Sequence, residues 1–403
     1  MNRDFRMLAS GQGLSWLGNG FQTVALAFAV VHGGGGAGEL GLVSASSIVA
    51  LLLGSLFGGV WADRLQPQRV MVLSDLVRCG SAASMAAAFA IGRPSALLLC
   101  LLAAISSGAG SFFNPAMMAL KPMIVPSARL QSANATLSML QTVCSVLGPA
   151  LGGVAVAVFG APIGFAVNAL SYLASVITAM LIRARVERSP HRDMLREIAE
   201  GWAEVRSRDW LLSGVLAATV YHIANGIVLV LSMVVAVRQL GGASAVGLIS
   251  AAEGIGGFAG AAIAMRLRPR RLLRAGWLAL LLMSLWVMGY VWPGVLPAVM
   301  AGAVIGYAGL SFFSVAWETA IQDHVPHHVL ARVASWDMLT SFLAMPLGSA
   351  MAGPLSSAFG TDPVLVGCAI VLFGSSLLPL LARGSRELTR PVVEVPILEE
   401  VSI

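Results

Sequence analysis

The sequence predicts an all-α membrane protein: twelve transmembrane helices in two pseudo-symmetric six-helix halves. Three observations predict it. First, 57% of the 403 residues are apolar, 11% are charged and mean hydropathy is +0.84, whereas soluble domains carry about 25% charged residues. So little charge excludes a soluble enzyme, a disordered chain or a nucleic-acid binder. Second, apolar runs of about 20 residues, long enough to cross a bilayer, recur along the whole chain. Third, the chain repeats itself at an offset of about 200 residues.

The elements follow in order. The first span, 8–31, succeeds the short basic segment Met1–Arg6. It is too long for the apolar core of a cleavable signal peptide, so it stays as a helix. Spans two to four fall at 40–61, 70–91 and 95–115, and the second carries Gly54, Gly58 and Gly59. The fifth, 132–158, carries Gly148, Pro149, Gly152 and Gly153, and the sixth is 161–182. In the polar stretch that follows, Met194, Leu195, Ile198, Trp202 and Val205 recur at helical spacing, which predicts an amphipathic helix on the inner surface. The second half reads 210–237, 244–265, 272–292, 295–319, 333–357 and 362–382. Its eighth span holds Gly254, Gly256, Gly257 and Gly260, and its eleventh Ala344, Gly348, Ala352, Gly353 and Pro354. The expected organisation is a bundle over 1–182, a cytoplasmic linker over 183–209, a second bundle over 210–385 and a poorly ordered tail over 386–403.

Charge orients the layout. Of the 25 Lys and Arg, only Arg93 and Arg238 fall in outward turns. Positive residues stay cytoplasmic, so both termini are expected on the cytoplasmic side of an inner membrane. The net charge of +6 then needs no nucleic acid. Cys79, Cys100, Cys144 and Cys368 all sit inside spans without metal-ligand spacing and read as packing residues. Gly33-Gly34-Gly35-Gly36 lacks the Gly-Lys-Ser/Thr of a phosphate loop and reads as a flexible turn. With no nucleotide signature, the chain is not itself an ATP-driven pump.

The repeat is carried by several matches in order. Ser111-Phe112-Phe113, Val125-Pro126, Gly148 and Phe159-Gly160 land on Ser311-Phe312-Phe313, Val325-Pro326, Gly348 and Phe359-Gly360. Two such halves point to alternating access around a central site. The loop after the second span reads Gly59-Val60-Trp61-Ala62-Asp63-Arg64-Leu65-Gln66-Pro67-Gln68-Arg69. It resembles the major facilitator signature G-x-x-x-D-R-x-x-x-R/K. Gly148-Pro149-Ala150-Leu151-Gly152-Gly153 resembles that family's antiporter motif, with Cys144 in place of its first Gly. Asn114-Pro115-Ala116, Ala133-Asn134 and Asp75-Leu76-Val77-Arg78 are similar to the macrolide-efflux and enterobactin-exporter branch. The chain departs at Asn19, where exporters of this branch often carry an acid, and at Met265, where the second loop signature has lost its Asp.

The resemblance implies that the small-residue helices line the seam between halves, where close packing rests on Gly and Ala. It implies that Asp63 faces the N-terminus of the eleventh span; Asp337, early in that span, is placed to join a charge network with Arg64 or Arg69, and solvated loop charges are the alternative. It also implies that spans 1, 4, 7 and 10 face a cavity. Their polar residues do fall on single faces: Gln12, Ser15, Asn19 and Gln22; Ser107, Ser111 and Asn114; Tyr221, His222 and Asn225; Tyr307, Ser311, Ser314 and Glu318. Such stripes face a wet cavity or each other. Trp16, Phe112 and Trp317 accompany them, and an apolar wall with few polar anchors suits a bulky amphipathic molecule.

Glu253 stands near the middle of the eighth span with no cation at i±3 or i±4. A carboxyl at that depth is costly to keep charged, which fits a proton carrier; a neutral Glu hydrogen-bonded across the seam is the alternative. Glu318 and His222 are further proton-coupling candidates. The sequence-level expectation is a monomeric, proton-coupled exporter of a hydrophobic drug or natural product. Its partners would be substrate, protons and lipid, with no cofactor, metal or catalytic residue. An uptake permease, a lipid-substrate carrier and a non-transporting sensor remain alternatives.

Overall fold

Two of the pairs matched at the 200-residue offset, Val125-Pro126 with Val325-Pro326 and Gly160 with Gly360, are helix punctuation. The computed structural model describes residues 3–62, 66–126, 129–182, 202–267, 269–292 and 294–389. Its first-half helices are α1 (Arg3–His32), α2 (Ala37–Ala62), α3 (Pro67–Ile91), α4 (Ala96–Ile124), α5 (Leu130–Phe159) and α6 (Ala161–Met180). The second half has α7 (Asp209–Gln239), α8 (Ala243–Arg266), α9a (Leu272–Leu280), α9b (Met283–Val291), α10 (Leu296–His324), α11 (His327–Phe359) and α12 (Thr361–Leu377). A 3-10 turn (Leu378–Leu381) and the short α13 (Arg383–Glu387) follow. Gly160 ends α5 at φ 83° and Gly360 ends α11 at φ 86°. Both take the left-handed conformation that glycine adopts without cost. Val125 and Val325 close α4 and α10 in extended conformation, ahead of Pro126 and Pro326, which disfavour helix in the residue before them.

Among the described residues, eleven helical spans are long and apolar enough to cross a membrane, and α11 adds a 33-residue helix. Described residues form no strand. The helices pair by one plan used twice. In the first half α1 packs on α5 and α6, α3 on α4 and α6, and α2 on α4. In the second half α7 packs on α11 and α12, α9 on α10 and α12, and α8 on α10. The halves meet through α5 with α8 and α2 with α11, which are images of each other under the same six-helix shift. This is the two-half architecture expected.

Helix contacts rest on small and hydroxyl residues, since lipid is as apolar as Leu and gives little drive for apolar faces to pair. Ser46 and Ser81 donate to the Cys100 and Leu102 carbonyls of α4 at 3.2 and 2.7 Å. Cys144 donates its Sγ to the Gly13 carbonyl at 3.3 Å, and all four cysteines are free. The ninth span breaks where hydropathy predicts one helix. At Leu281–Leu282 the bonding tightens, with Leu282 N to Ala279 O and Ser284 N to Leu281 O, both 3.1 Å. Gly302, Gly306 and Gly309 of α10 press against this stretch, and a Cβ on Gly309 would run into the Ala279 carbonyl. Helices α5 and α11 run on as helix through Pro149 and Pro354.

Two stretches differ from their sequence reading. The four-glycine turn is folded: Gly35 N donates to Val30 O at 2.8 Å, and Gly34 sits at φ 90°. Arg238, from the other half, donates to the Gly35 carbonyl at 2.9 Å, and Arg93 pairs with Glu39 at 2.6 Å. Of the amphipathic linker only its end is described. Val205 is buried in the protein core, and Trp202 lies 4.8 Å from Trp336 of α11, so this end docks on the bundle. Met194, Leu195 and Ile198 lie outside the described residues.

Candidate functional site

Glycine spacing brings α8 onto α10, and that contact builds the centre of the second half. Gly256 and Gly260 face Val304 and Ala308 of α10 so closely that a Cβ on either would meet backbone. On the same helix Glu253 reaches the Tyr307 hydroxyl of α10. Tyr290 of α9b and Tyr221 of α7 stand next to this pair, and Tyr290 is hydrogen-bonded to Ser232. Trp286 lies edge-on to both Tyr290 and Tyr307, at 5.8 and 5.3 Å. Three of the chain's four tyrosines thus gather here, Tyr307 and Tyr290 by the carboxyl and Tyr221 beyond Tyr307, and among the described residues no Lys or Arg pairs with Glu253. The bond is within the second half, not across the seam.

Toward the end of the bundle where α1 begins and α10 ends, the terminal end, helices α7, α9a, α10 and α12 line a cavity of about 210 Å³. Tyr221, His222, Trp277, Phe313, Trp317 and Glu318 line it, with Ser314 beside them. The Trp277 ring lies 4.4 Å from Phe313 and 5.9 Å from Trp317. Gly214 leaves room for Trp317, whose ring a Cβ there would strike. The His222 Nδ1 sits 2.7 Å from the Ala218 carbonyl, so a neutral ring donates there and offers Nε2 as an acceptor. Two buried donors on this wall, the Tyr221 hydroxyl and Trp277 Nε1, have no partner among the described residues. Each unmet buried donor costs about 1–3 kcal/mol, which a ligand acceptor would relieve. Glu318 and Ser314 are exposed, while Asn225 and Ser311 are half-buried.

The first half is arranged differently. Gln12 and Ser15 are buried, and the α1 stripe turns to α6 rather than to a cavity. The Tyr172 hydroxyl donates to Asn19 Oδ1 at 2.6 Å, and Asn168 Nδ2 donates to Gln22 Oε1 at 2.5 Å. Gly11 and Gly18 bring the helices together, facing Thr178 and Ser171. Behind Tyr172, Asp75 and Arg78 form a 3.0 Å ion pair with Asp75 fully buried. The Arg78 guanidinium lies 4.1 Å from the Tyr172 ring centroid. On α4, Ser111 donates to the Gly108 carbonyl at 2.7 Å and packs on Gly54. Ser107 is half-buried and Asn114 exposed. Trp16 and Phe112 pack on the apolar cluster around Phe113.

The seam glycines divide their work. Gly153 faces Gly247 across the seam, Gly254 faces Val146, and Gly353 faces Gly38. Gly148 and Gly152 instead pack on Leu17, Gly20 and Phe21 of α1, with Pro149 against Gly20, and Gly348 packs on Ile223 of α7. The helices that carry these glycines do meet at the seam, α5 with α8 and α2 with α11, but only part of their small residues faces it: a helix wedged between two neighbours needs a smooth face toward each. Of the loop signature, Asp63 and Arg64 lie outside the described residues. Gly59 and Asp337 belong to helical stretches of α2 and α11 whose side chains are also outside them. Arg69 is exposed on the first turn of α3.

The polar stripes did not reveal Tyr290, Trp277, Trp286, Asn168 or Tyr172. The ninth and sixth spans carry these residues, whereas the stripes lie on spans 1, 4, 7 and 10. The rarity of tyrosine in the chain was the available signal.

Residues 8–349 match the family model described as Major Facilitator Superfamily. Over 385 residues the chain is 25% identical to the multidrug efflux pump Tap of Mycolicibacterium fortuitum, covering 92% of this chain and 93% of that one. It is 24% identical to macrolide efflux protein A of Streptococcus pyogenes over 373 residues, 89% and 90% of the two chains. Among solved structures it is similar in fold to a bacterial homolog of the human lysosomal transporter Spinster in an inward-facing, unoccupied conformation. That match has a TM-score of 0.76 at 15% identity and covers 97% of this chain and 99% of that one. The nucleoside transporter NupG matches with TM-score 0.76 at 11% identity, covering 94% and 99%.

Proposed function

The chain belongs to the Major Facilitator Superfamily, and on that premise we propose that it exports hydrophobic or amphipathic small molecules in exchange for protons, by alternating access. The observation that carries the proposal is Glu253. It is held by the Tyr307 hydroxyl, with Tyr290 and Tyr221 beyond it and no cation opposite. A membrane-depth carboxyl bonded to a phenol, with no counter-charge among the described residues, has taking up and losing a proton as its available chemistry. Tyr221 joins this cluster to the aromatic cavity, whose unpaired donors and exposed Glu318 fit an amphipathic guest with hydrogen-bond acceptors. The outward direction is supported by the multidrug and macrolide efflux proteins to which the chain is similar. The terminal end is taken as cytoplasmic from the distribution of Lys and Arg.

The driving force suffices. One charge crossing 100 mV supplies about 2.3 kcal/mol, enough for roughly a fifty-fold gradient of a neutral substrate. The test uses inside-out vesicles containing the full chain, energised to an acidic interior and given a panel of hydrophobic dyes and macrolides. Wild type should accumulate a substrate and release protons when it is added, and a protonophore should abolish both. Glu253→Gln should still bind the substrate, with proton-driven accumulation lost. A folded Glu253→Gln protein transporting at the wild-type, proton-dependent rate refutes the role of Glu253.

A further inference from the structure

At the terminal end, on the flank away from the seam, a second concavity of about 400 Å³ lies between the start of α9a and the short helix α13. Arg271 and Arg274 line it from one side and Arg386 from the other, with Glu387 as the single carboxylate. The two segments are more than a hundred residues apart in the chain, yet the fold fixes them together. Asp209 Oδ2 accepts from the Gly384 backbone N–H at 3.1 Å, and His324 Nε2 sits 3.1 Å from the Thr389 carbonyl. A Cβ on Gly384 would run into Asp209, so the close docking of α13 needs that glycine.

A positive-inside bias accounts for Arg at span ends. It does not account for three guanidinium groups converging on one hollow with no ion pair among them, an arrangement that repels itself until an anion enters. The hollow sits at head-group depth, because the ninth span starts at Leu272 and the twelfth ends at Leu381. Its floor is apolar: Leu278 and Leu380 line it. Leu278, Leu282 and Leu285 then continue down α9 as an exposed stripe at spacings of 4 and 3. An anionic head above and a hydrocarbon track below are the two parts of one amphiphile.

We propose that this site binds an anionic phospholipid, with the phosphate held by Arg271, Arg274 and Arg386 and an acyl chain lying along the α9 leucines. Basic hollows between membrane helices recognise acidic lipid heads in this way. The test titrates the purified full-length protein, in neutral detergent, with phosphatidylglycerol, phosphatidylcholine and inorganic phosphate. It reads lipid retained in native mass spectrometry and the thermal midpoint. Phosphatidylglycerol should be retained and raise the midpoint; the other two should do neither. R271Q/R274Q/R386Q should weaken phosphatidylglycerol binding on the order of a hundredfold, while R271K/R274K/R386K keeps most of it. Should the triple Gln protein misfold, R271Q and R386Q are measured singly, and each should weaken binding. Unchanged binding in the Gln proteins overturns the site. Equal binding of phosphatidylcholine removes the charge argument, and inorganic phosphate that matches and displaces the lipid makes this a free-anion site instead.

Discussion

Gly353→Ala should weaken the contact between the halves at the end opposite the termini, and Gly38→Ala should not. The two glycines face each other across the seam between α2 and α11. A Cβ on Gly353 would run into the Gly38 Cα, with backbone on both sides and no flexible side chain to yield. A Cβ on Gly38 would lie 3.9 Å from the Gly353 Cα, an ordinary contact. Overpacking of this kind costs about 1–3 kcal/mol. The strain falls on the conformation in which the halves touch here, so the balance between that conformation and one opened at this end moves by about 5- to 150-fold.

Spin labels on Gly36→Cys and Gln239→Cys, in a protein whose four native cysteines have been replaced, would read the distance across this end. Gly36 has open space around it and Gln239 is exposed, so both positions accommodate a label beside the Arg238–Gly35 contact, and the labelled parent is the reference. In the Gly353→Ala background the distance distribution should gain a long component; in the Gly38→Ala background it should match the parent. An unchanged distribution for Gly353→Ala, or the same shift from both variants, would refute the steric argument.

Two further outcomes follow from the interior. Asp75→Asn leaves the Arg78 guanidinium without its partner, and breaking a buried pair from one side costs about 3–5 kcal/mol. The thermal midpoint in detergent should fall by several degrees, whereas Glu204→Gln, which breaks the half-exposed Arg208 pair, should change stability by under about 1 kcal/mol. Gly214→Ala pushes a methyl group toward the Trp317 ring and narrows the aromatic cavity. Dye binding followed by tryptophan fluorescence should weaken with the fold intact, and unchanged affinity would show that the ligand sits elsewhere.

The fold was legible because a membrane chain writes its architecture in hydropathy and its symmetry in punctuation. Gly160 with Gly360, and Val125-Pro126 with Val325-Pro326, could be aligned without coordinates because each ends a helix. Glu253 was legible for a similar reason: a lone acid in an apolar span is conspicuous. Its neighbours were not. Helical periodicity shows which residues of one helix share a face but not which helix that face meets, so the Asn19 and Gln22 stripe gave no sign that it belongs to Tyr172 and Asn168. Glycine had the same ambiguity: Gly148 and Gly153 look alike in a motif, and the structure turns one to α1 and the other to α8.

The two halves share a contact plan but not an interior, and the difference bears on where the proposed ligand chemistry belongs. The first half closes most of its polar groups on themselves: Asp75 on Arg78, Arg78 on Tyr172, Tyr172 on Asn19, and Asn168 on Gln22. Such a network resists change, because removing any member strands a buried partner. Among the described residues the second half leaves the Tyr221 hydroxyl and Trp277 Nε1 unmet and gives Glu253 no counter-ion, against Ser15 Oγ in the first half. Unmet donors are destabilising unless something arrives to meet them. On the proposed reading, the unmet donors and lone carboxyl of the second half are open valences for a proton and a guest. If alternating access rocks one body against the other, substitutions that relieve the open valences, such as Tyr221→Phe, should stabilise the resting protein while weakening substrate binding. The same conservative change at Tyr172 should destabilise it, because there the hydroxyl is already spent on Asn19.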